Sequence, residues 1–337
     1  MNDKSNNYSF LVIGSDSFSG SNFVNYLLKN KFNVIASSRS LDKKKVFLPY
    51  LWENTTFENL TYFQCDLNKN IDDLIEFTKK KKPQYIVNFA AQGMVAESWL
   101  NPTHWYKTNV LSQVAFHEKL RHLTFIKKYV HVTTPEVYGS TDKGWIKENF
   151  KFSPSTPYAV SRAACDLHLM SFFKAYEFPV VFTRAANVYG PGQQLYRIIP
   201  RTILSGLCKK PMQLHGGGLS ERSFVHINDV AKATLNIALK AKSGSSWHIS
   251  TKEKISIKNL VIKIFERLNI NYKDLVQIGD ERLGKDQSYL LDSSKLRDKF
   301  NWAEDFNLDS GINDTIDWVS KNLDELKSYS WDYQHKQ

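Results

Sequence analysis

The stretch Gly14-Ser15-Asp16-Ser17-Phe18-Ser19-Gly20 follows directly on the apolar run Phe10-Leu11-Val12-Ile13. A glycine at a strand end permits a tight turn, and a small residue at Ser17 lets backbone N–H groups approach a pyrophosphate. Gly20 lets the next helix pack close, with its N-terminal dipole facing the anion. Gly14, Ser17, Phe18 and Gly20 are therefore candidate cofactor contacts, although the same spacing also fits a plain strand–turn–helix corner. A second strand ends in Ser38 and Arg39. A carboxylate there takes the ribose hydroxyls of NAD, whereas serine and arginine suit a 2′-phosphate. The reading leans to NADP and leaves NAD open. Tyr158 and Arg162 stand four apart, on one helix face. A phenol ionises near pH 10, and a fixed cation beside it favours the phenolate. Cys65, Cys165 and Cys208 include no CxxC pair, and no His/Cys group has metal-ligand spacing along the sequence, so no structural zinc is expected.

These residues need a frame. Through residue 190, short apolar runs alternate with amphipathic stretches. Strands are expected at 10–13, 34–36, 62–63, 85–87, 129–132 and 180–182. Helices are expected around 23–28 and 71–77, over 102–123 as one long helix, and over 158–176. Continuous apolar strands separated by helices imply a parallel sheet covered on both faces, an α/β Rossmann-type doubly wound fold that binds ligands at the carboxyl ends of its strands. Beyond it, short strands (212–214, 224–227, 247–249) and helices (229–240, 257–268) make a smaller mixed α/β lobe. The expected division is a dinucleotide-binding domain over 1–190 and a substrate lobe over 191–330, with the chain crossing between lobes. Residues 331–337 are set apart as a tail, and the stretch from Ser328 to Gln337 lacks apolar periodicity and is read as partly disordered.

The 337 residues correspond to roughly two domains of 150, with 42% hydrophobic and 23% charged residues. The formal net charge of +11 raises the question of nucleic acid or membrane. The lysines are scattered (43–45, 79–82, 127–128, 209–210), no nucleic-acid motif accompanies them, and no run of 18 apolar residues occurs. Neither partner is expected. Sparse, odd cysteines fit a reduced, cytoplasmic setting.

The chain resembles the extended short-chain dehydrogenase/reductases, the NAD-dependent epimerase/dehydratase family, most closely the dTDP-glucose 4,6-dehydratases. Several segments carry the likeness in order. Cys65-Asp66-Leu67 resembles the acidic segment near the adenine. Asn88-Phe89-Ala90-Ala91-Gln92 resembles the segment beside the cofactor. Thr108-Asn109 falls where the family keeps a structural asparagine. Thr133-Thr134-Pro135-Glu136-Val137-Tyr138-Gly139 resembles the active-site strand end, and Tyr158 with Arg162 resembles Tyr-x-x-x-Lys. Asn187-Val188-Tyr189-Gly190-Pro191, the Arg222 segment and the Arg282 segment resemble nucleotide-diphosphate contacts.

The resemblance implies a nucleotide-sugar dehydratase that keeps NAD(P)+ tightly bound and recycles it. Tyr158 would take the C4 hydroxyl proton, Thr134 would bond the C4 oxygen, and Glu136 would remove the C5 proton before water leaves from C6. It further implies Asp66, Leu67, Ala90, Ala91, Tyr158 and Arg162 as cofactor contacts. Thr134, Pro135, Glu136, Asn187, Arg222 and Arg282 become substrate contacts. Arg162 replaces the family's lysine. Pro135 replaces the aspartate that protonates the leaving hydroxyl, so Glu136, a water or another residue must supply that proton, or no elimination occurs. A UDP-glucuronate decarboxylase, a sugar-nucleotide epimerase and a non-catalytic dinucleotide-binding protein are the alternative readings. The family's pairing through two long helices implies a homodimer.

Overall fold

The computed structural model describes residues 8–40, 44–52, 58–141, 144–281 and 287–335. β1 (Ser9–Ile13) is apolar and buried along nearly its whole length. It passes through the glycine loop into α1 (Phe18–Lys29), then β2 (Asn33–Ser38), β3 (Leu60–Gln64), α2 (Ile71–Lys81) and β4 (Tyr85–Asn88). The expected 102–123 helix is broken into α3 (Pro102–Tyr106), a π-helical stretch Lys107–Leu111 and α4 (Ser112–Leu120). The wide turn carries Asn109 inward, where it is fully buried. Its amide donates to the Gln92 carbonyl at 3.0 Å and to Ser161 Oγ at 3.0 Å, and its oxygen accepts from the Gln92 N–H at 2.7 Å. A residue locked by bonds to two other elements accounts for the inserted turn, as such bulges commonly do.

β5 (Lys128–Thr133) then leads to α5 (Pro157–Tyr176), β6 (Val180–Ala185) and β7 (Asn187–Tyr189). α5 begins sharply. Proline occupies its first turn, and Thr156 Oγ1 accepts from the Ala159 N–H at 3.2 Å. Beyond α6 (Ile198–Cys208) come β8 (Met212–His215), β9 (Glu221–Arg222), β10 (Phe224–His226), α7 (Ile227–Lys240) and β11 (Ser246–Ile249).

Among the described residues the main sheet has seven parallel strands, in the order β11-β6-β5-β4-β1-β2-β3. β1 and β4 are neighbours, so the connections run outward in opposite directions from that point. This is where a doubly wound sheet opens a crevice. β11 lies far beyond residue 190 yet pairs with β6, Trp247 opposite Thr183. Trp247, Leu296 and Trp302 belong to the same buried cluster as Phe10 and Val12. On the other face Leu11, Ile86, Phe116, Tyr129 and Leu169 form a second cluster. Each such buried side chain contributes about 1.5–3 kcal/mol. A third cluster, centred on Ile203, Leu204, Leu260 and Ile312, holds the smaller lobe together.

The tail differs from the expectation. Residues 328–335 are placed by contacts rather than by periodicity. Tyr329 packs on Phe47, Arg201 donates to the Trp331 carbonyl at 2.7 Å, and Tyr333 meets Tyr196 edge-on. The His335 ring stacks on His104 and Trp105, and Gln92 Nε2 lies 3.1 Å from its Nδ1. Residues 336–337 lie outside the described residues.

Candidate active site

The glycine loop is built so that no side chain fits at two of its positions. Gly14 has φ +76°, and a Cβ there would come within 2.8 Å of the Ala90 backbone nitrogen. A Cβ at Gly20 would meet the Gly14 carbonyl at 2.1 Å. Ser17, standing where a middle glycine is common, caps α1. Its hydroxyl donates to the Gly14 carbonyl at 2.7 Å and accepts from the Gly20 N–H at 3.1 Å. The loop and the tips of β2, β3 and β4 surround a cleft of about 660 Å³. Gly14, Ser17, Ser38, Arg39, Asp66, Leu67, Ala90 and Ala91 all face it, while Phe18 and Gly20 are buried behind the loop. The segment from Ser328 to Gln334 closes one side. Size, glycine packing and a helix N-terminus aimed at the space fit a dinucleotide.

The proposed catalytic residues do not line that cleft. They cluster at the carboxyl end of β5 and the start of α5. Thr134 is buried, and its hydroxyl donates to the Glu136 carboxylate. Tyr158 is half-buried, and Thr134 lies close enough to favour its ionisation. Burial and the Glu136 carboxylate push the Tyr158 phenol above its ordinary range, while Arg162 and Arg197 oppose them. Pro135 opens a short 3₁₀ turn, Pro135–Tyr138, that holds Glu136 part-exposed. It has no proton to give.

Arg162 is 2% exposed and turned toward the strand rather than bonded to Tyr158. One guanidinium nitrogen donates to the Val132 carbonyl and stands 3.4 Å from His131 Nε2. Its Nε and other terminal nitrogen are buried and have no hydrogen-bond partner among the described residues. Orphaned donors on a buried cation favour an acceptor-rich ligand beside them. Ribose hydroxyls supply such acceptors.

A charged network under this end of the sheet is absent from the sequence-level candidates. Asp166 is fully buried and pairs with Arg184 at 2.6 Å, accepts from Thr133 Oγ1 at 3.0 Å and faces His131 at 3.4 Å. Arg184 is stacked among Tyr138, Phe150, Phe152 and Phe182. Burial alone would raise the Asp166 carboxyl, but Arg184, His131 and Arg162 outweigh it and hold it low. The i, i+4 pair Arg162/Asp166 on one helix was the available signal. Burial pulls His131 down to about 4, with Arg162 acting the same way and the Asp166 bond opposing. His248 is pulled to about 3, chiefly by burial and then by Arg184.

These shifts set a pH dependence. In the unfolded chain histidine titrates near 6.5. Between that value and about 4, unfolded chains bind protons that folded His131 and His248 refuse. Stability is therefore full above about 6.5 and falls as pH drops toward 4, by about 1.4 kcal/mol per pH unit for each such histidine. Asp166, held low, adds to the loss only at still lower pH. Melting temperature measured from pH 8 to pH 5 should decline below about 6.5, and His131→Asn should flatten the decline.

The substrate candidates Asn187 and Arg222 do not line the glycine-loop cleft. Asn187 lies in β7, paired with Phe224 of β10. Arg222 is buried, with its guanidinium donating to the Glu221 and Gln287 carbonyls at 2.7 and 2.9 Å and lying over the Tyr289 ring. Arg282 lies outside the described residues.

A Rossmann-type sheet with a glycine-loop cleft and a Thr–Glu–Tyr cluster at the next strand end defines a doubly wound dinucleotide-binding fold. Residues 11–315 match the family model for GDP-mannose 4,6 dehydratase. The chain belongs to that family. A trifunctional UDP-glucose 4,6-dehydratase/3,5-epimerase/4-keto-L-rhamnose-reductase of Arabidopsis thaliana is 29% identical over 93% of this chain. This chain spans only 47% of that relative's length. The human dTDP-D-glucose 4,6-dehydratase is 31% identical, over 74% of this chain and 72% of its own. The crystal structure of Bacillus anthracis dTDP-glucose 4,6-dehydratase, in complex with NAD, superposes with a TM-score of 0.86. It is 28% identical and covers 95% of this chain and 99% of its own. That neighbour carries NAD, which lends no support to the lean toward NADP read from Ser38 and Arg39.

Proposed function

We propose that this protein is a nucleotide-sugar 4,6-dehydratase using NAD. The observation that carries the reading is the cluster at the end of β5, where the Thr134 hydroxyl donates to Glu136 and lies close enough to Tyr158 to act on its ionisation. The cluster brings a base for C4 and a second base for C5 to one place, and elimination across C5 and C6 needs the second base whereas simple epimerisation does not.

Tyr158, as phenolate, accepts the proton of the C4 hydroxyl while Thr134 holds the C4 oxygen. The bound nicotinamide supplies the hydride acceptor for C4 and the hydride returned to C6. Glu136 accepts the C5 proton, made acidic by the adjacent ketone. The same carboxylic acid gives that proton to the C6 hydroxyl, which departs as water; as C6 takes up its hydride, Glu136 passes a proton from solvent back to C5, and the proton held by Tyr158 returns to solvent. Pro135 leaves Glu136 to act alone in both roles. Arg162 holds ribose hydroxyls and favours the Tyr158 phenolate. Ala90, Ala91, Asp66 and Leu67 line the cofactor's path, and Asn187, Arg222 and Arg282 serve the diphosphate. The division at about residue 190 into a cofactor part and a substrate lobe belongs to the same reading.

A homodimer completes the proposal. Leu111 (67% exposed) and Leu167 (49% exposed) lie on the two long helical segments, an apolar face suited to a second copy. Three free cysteines, two of them buried, accord with action in the cytoplasm. Among the described residues, no helix is long and apolar enough to cross a membrane.

The test is product analysis by mass after incubation with dTDP-, UDP- and GDP-linked hexoses. Loss of one water from one of them supports the reading. Loss of carbon dioxide from a UDP-glucuronate control, or unchanged mass with inverted ring couplings, overturns it.

A further inference from the structure

Among the described residues, the tip of β2 presents Ser38, Arg39 and Ser40 and no carboxylate. An acidic group reaches the same place from the glycine loop. Asp16 faces the cleft together with those three residues. Its Oδ1 accepts from Tyr50 at 2.7 Å and from Ser15 Oγ at 3.0 Å. Its Oδ2 stands 3.4 Å from the Tyr62 hydroxyl, which is itself 3.3 Å from the Ser38 carbonyl and 3.0 Å from the Ser40 carbonyl. The Tyr62 hydroxyl thus spans the space between the Asp16 carboxylate and the end of β2.

The holders are rigid. Tyr50 is 2% exposed, in a short turn, Pro49–Leu51, that packs against α1. Burial and the neighbouring carboxylate keep both phenols protonated, so they remain donors. A carboxylate with two donors on Oδ1, the Tyr62 hydroxyl beside Oδ2, and part of its surface still open to the cleft is oriented for a ligand. Among the described residues, the cations lining this rim are Arg39 and Lys44. Arg39 lies near enough to Tyr333 and His335 to act on their ionisation, and Lys44 lies over the Tyr329 ring. Lys44 is thereby held toward the C-terminal segment.

We propose that Asp16 takes the adenine-ribose hydroxyls and excludes a 2′-phosphate, so the glycine loop supplies the discrimination that a strand-end carboxylate supplies elsewhere. Like charge against a 2′-phosphate disfavours NADP, and loss of a hydroxyl bond weakens NAD. The proposal rests on the cofactor half of the reading above and stands apart from its sugar chemistry.

The experiment is fluorescence titration of purified protein with NADH and NADPH, together with mass identification of the cofactor released on denaturation. Wild-type protein should release NAD and bind NADH at least about 30-fold more tightly than NADPH. Asp16→Asn, which keeps an oxygen for Tyr50, should narrow that ratio by about 10-fold or more, and Asp16→Ser should do likewise. A wild-type preference for NADPH, or an unchanged ratio in folded Asp16→Asn and Asp16→Ser, overturns the proposal. Failure to bind either dinucleotide overturns the cofactor reading itself. Failure on sugar substrates with the NADH preference intact touches only the dehydratase reading.

Discussion

Glutamine in place of Glu136 is expected to lower dehydration by about 10²–10⁴-fold, the usual contribution of a positioned general base. Oxidation at C4 should survive, since Tyr158 and Thr134 are untouched. The signature is a split between steps. Absorbance of the reduced cofactor should appear on adding substrate and persist, while deuterium from solvent no longer enters at C5. The substitution is nearly isosteric and Glu136 is part-exposed, so folding should be intact. Thr134 can donate equally to the amide oxygen. Retained exchange at C5 would assign the base elsewhere. An equal loss of both steps would mean that Glu136 acts by holding Thr134, to which it is bonded.

Phenylalanine in place of Tyr158 is expected to stop the first step, again by about 10²–10⁴-fold, so that no reduced cofactor accumulates with any sugar. The two variants therefore differ in kind. One halts after oxidation and the other before it. The pH profile adds a check. In the ligand-free protein, burial and Glu136 hold the Tyr158 phenol above its ordinary range, with Arg162 only partly opposing. Wild-type oxidation should therefore rise with pH across the neutral range, as the phenolate fraction grows. The residual rate of Tyr158→Phe should not rise. A pH-independent wild-type rate would remove Tyr158 from the role of base.

Arg162 shows how far residue type alone can be read. Its spacing from Tyr158 placed it on the correct helix face, because four residues on a helix is a local rule. Where its guanidinium goes depends on Val132 and His131, about thirty positions away in the chain. The 102–123 helix is a similar case. Its apolar pattern is continuous, yet bonds from Asn109 to Gln92 and Ser161 insert a wider turn.

The order of strands and helices through residue 190, the glycine loop and the strand-end position of Thr134 and Glu136 were determined by sequence alone. Each is set by neighbours within a few residues, through periodicity, turn geometry and helix capping. Three other features were decided only by tertiary structure. β11 completes the sheet beside β6. Asp166 meets Arg184 and His131 beneath the site. Asp16 meets Tyr50 and Tyr62, separated by 34 and 46 positions. A charged or polar side chain carries no periodic signal of its own. Its role appears when folding removes water and leaves it one partner, and that partner is chosen by how distant segments pack.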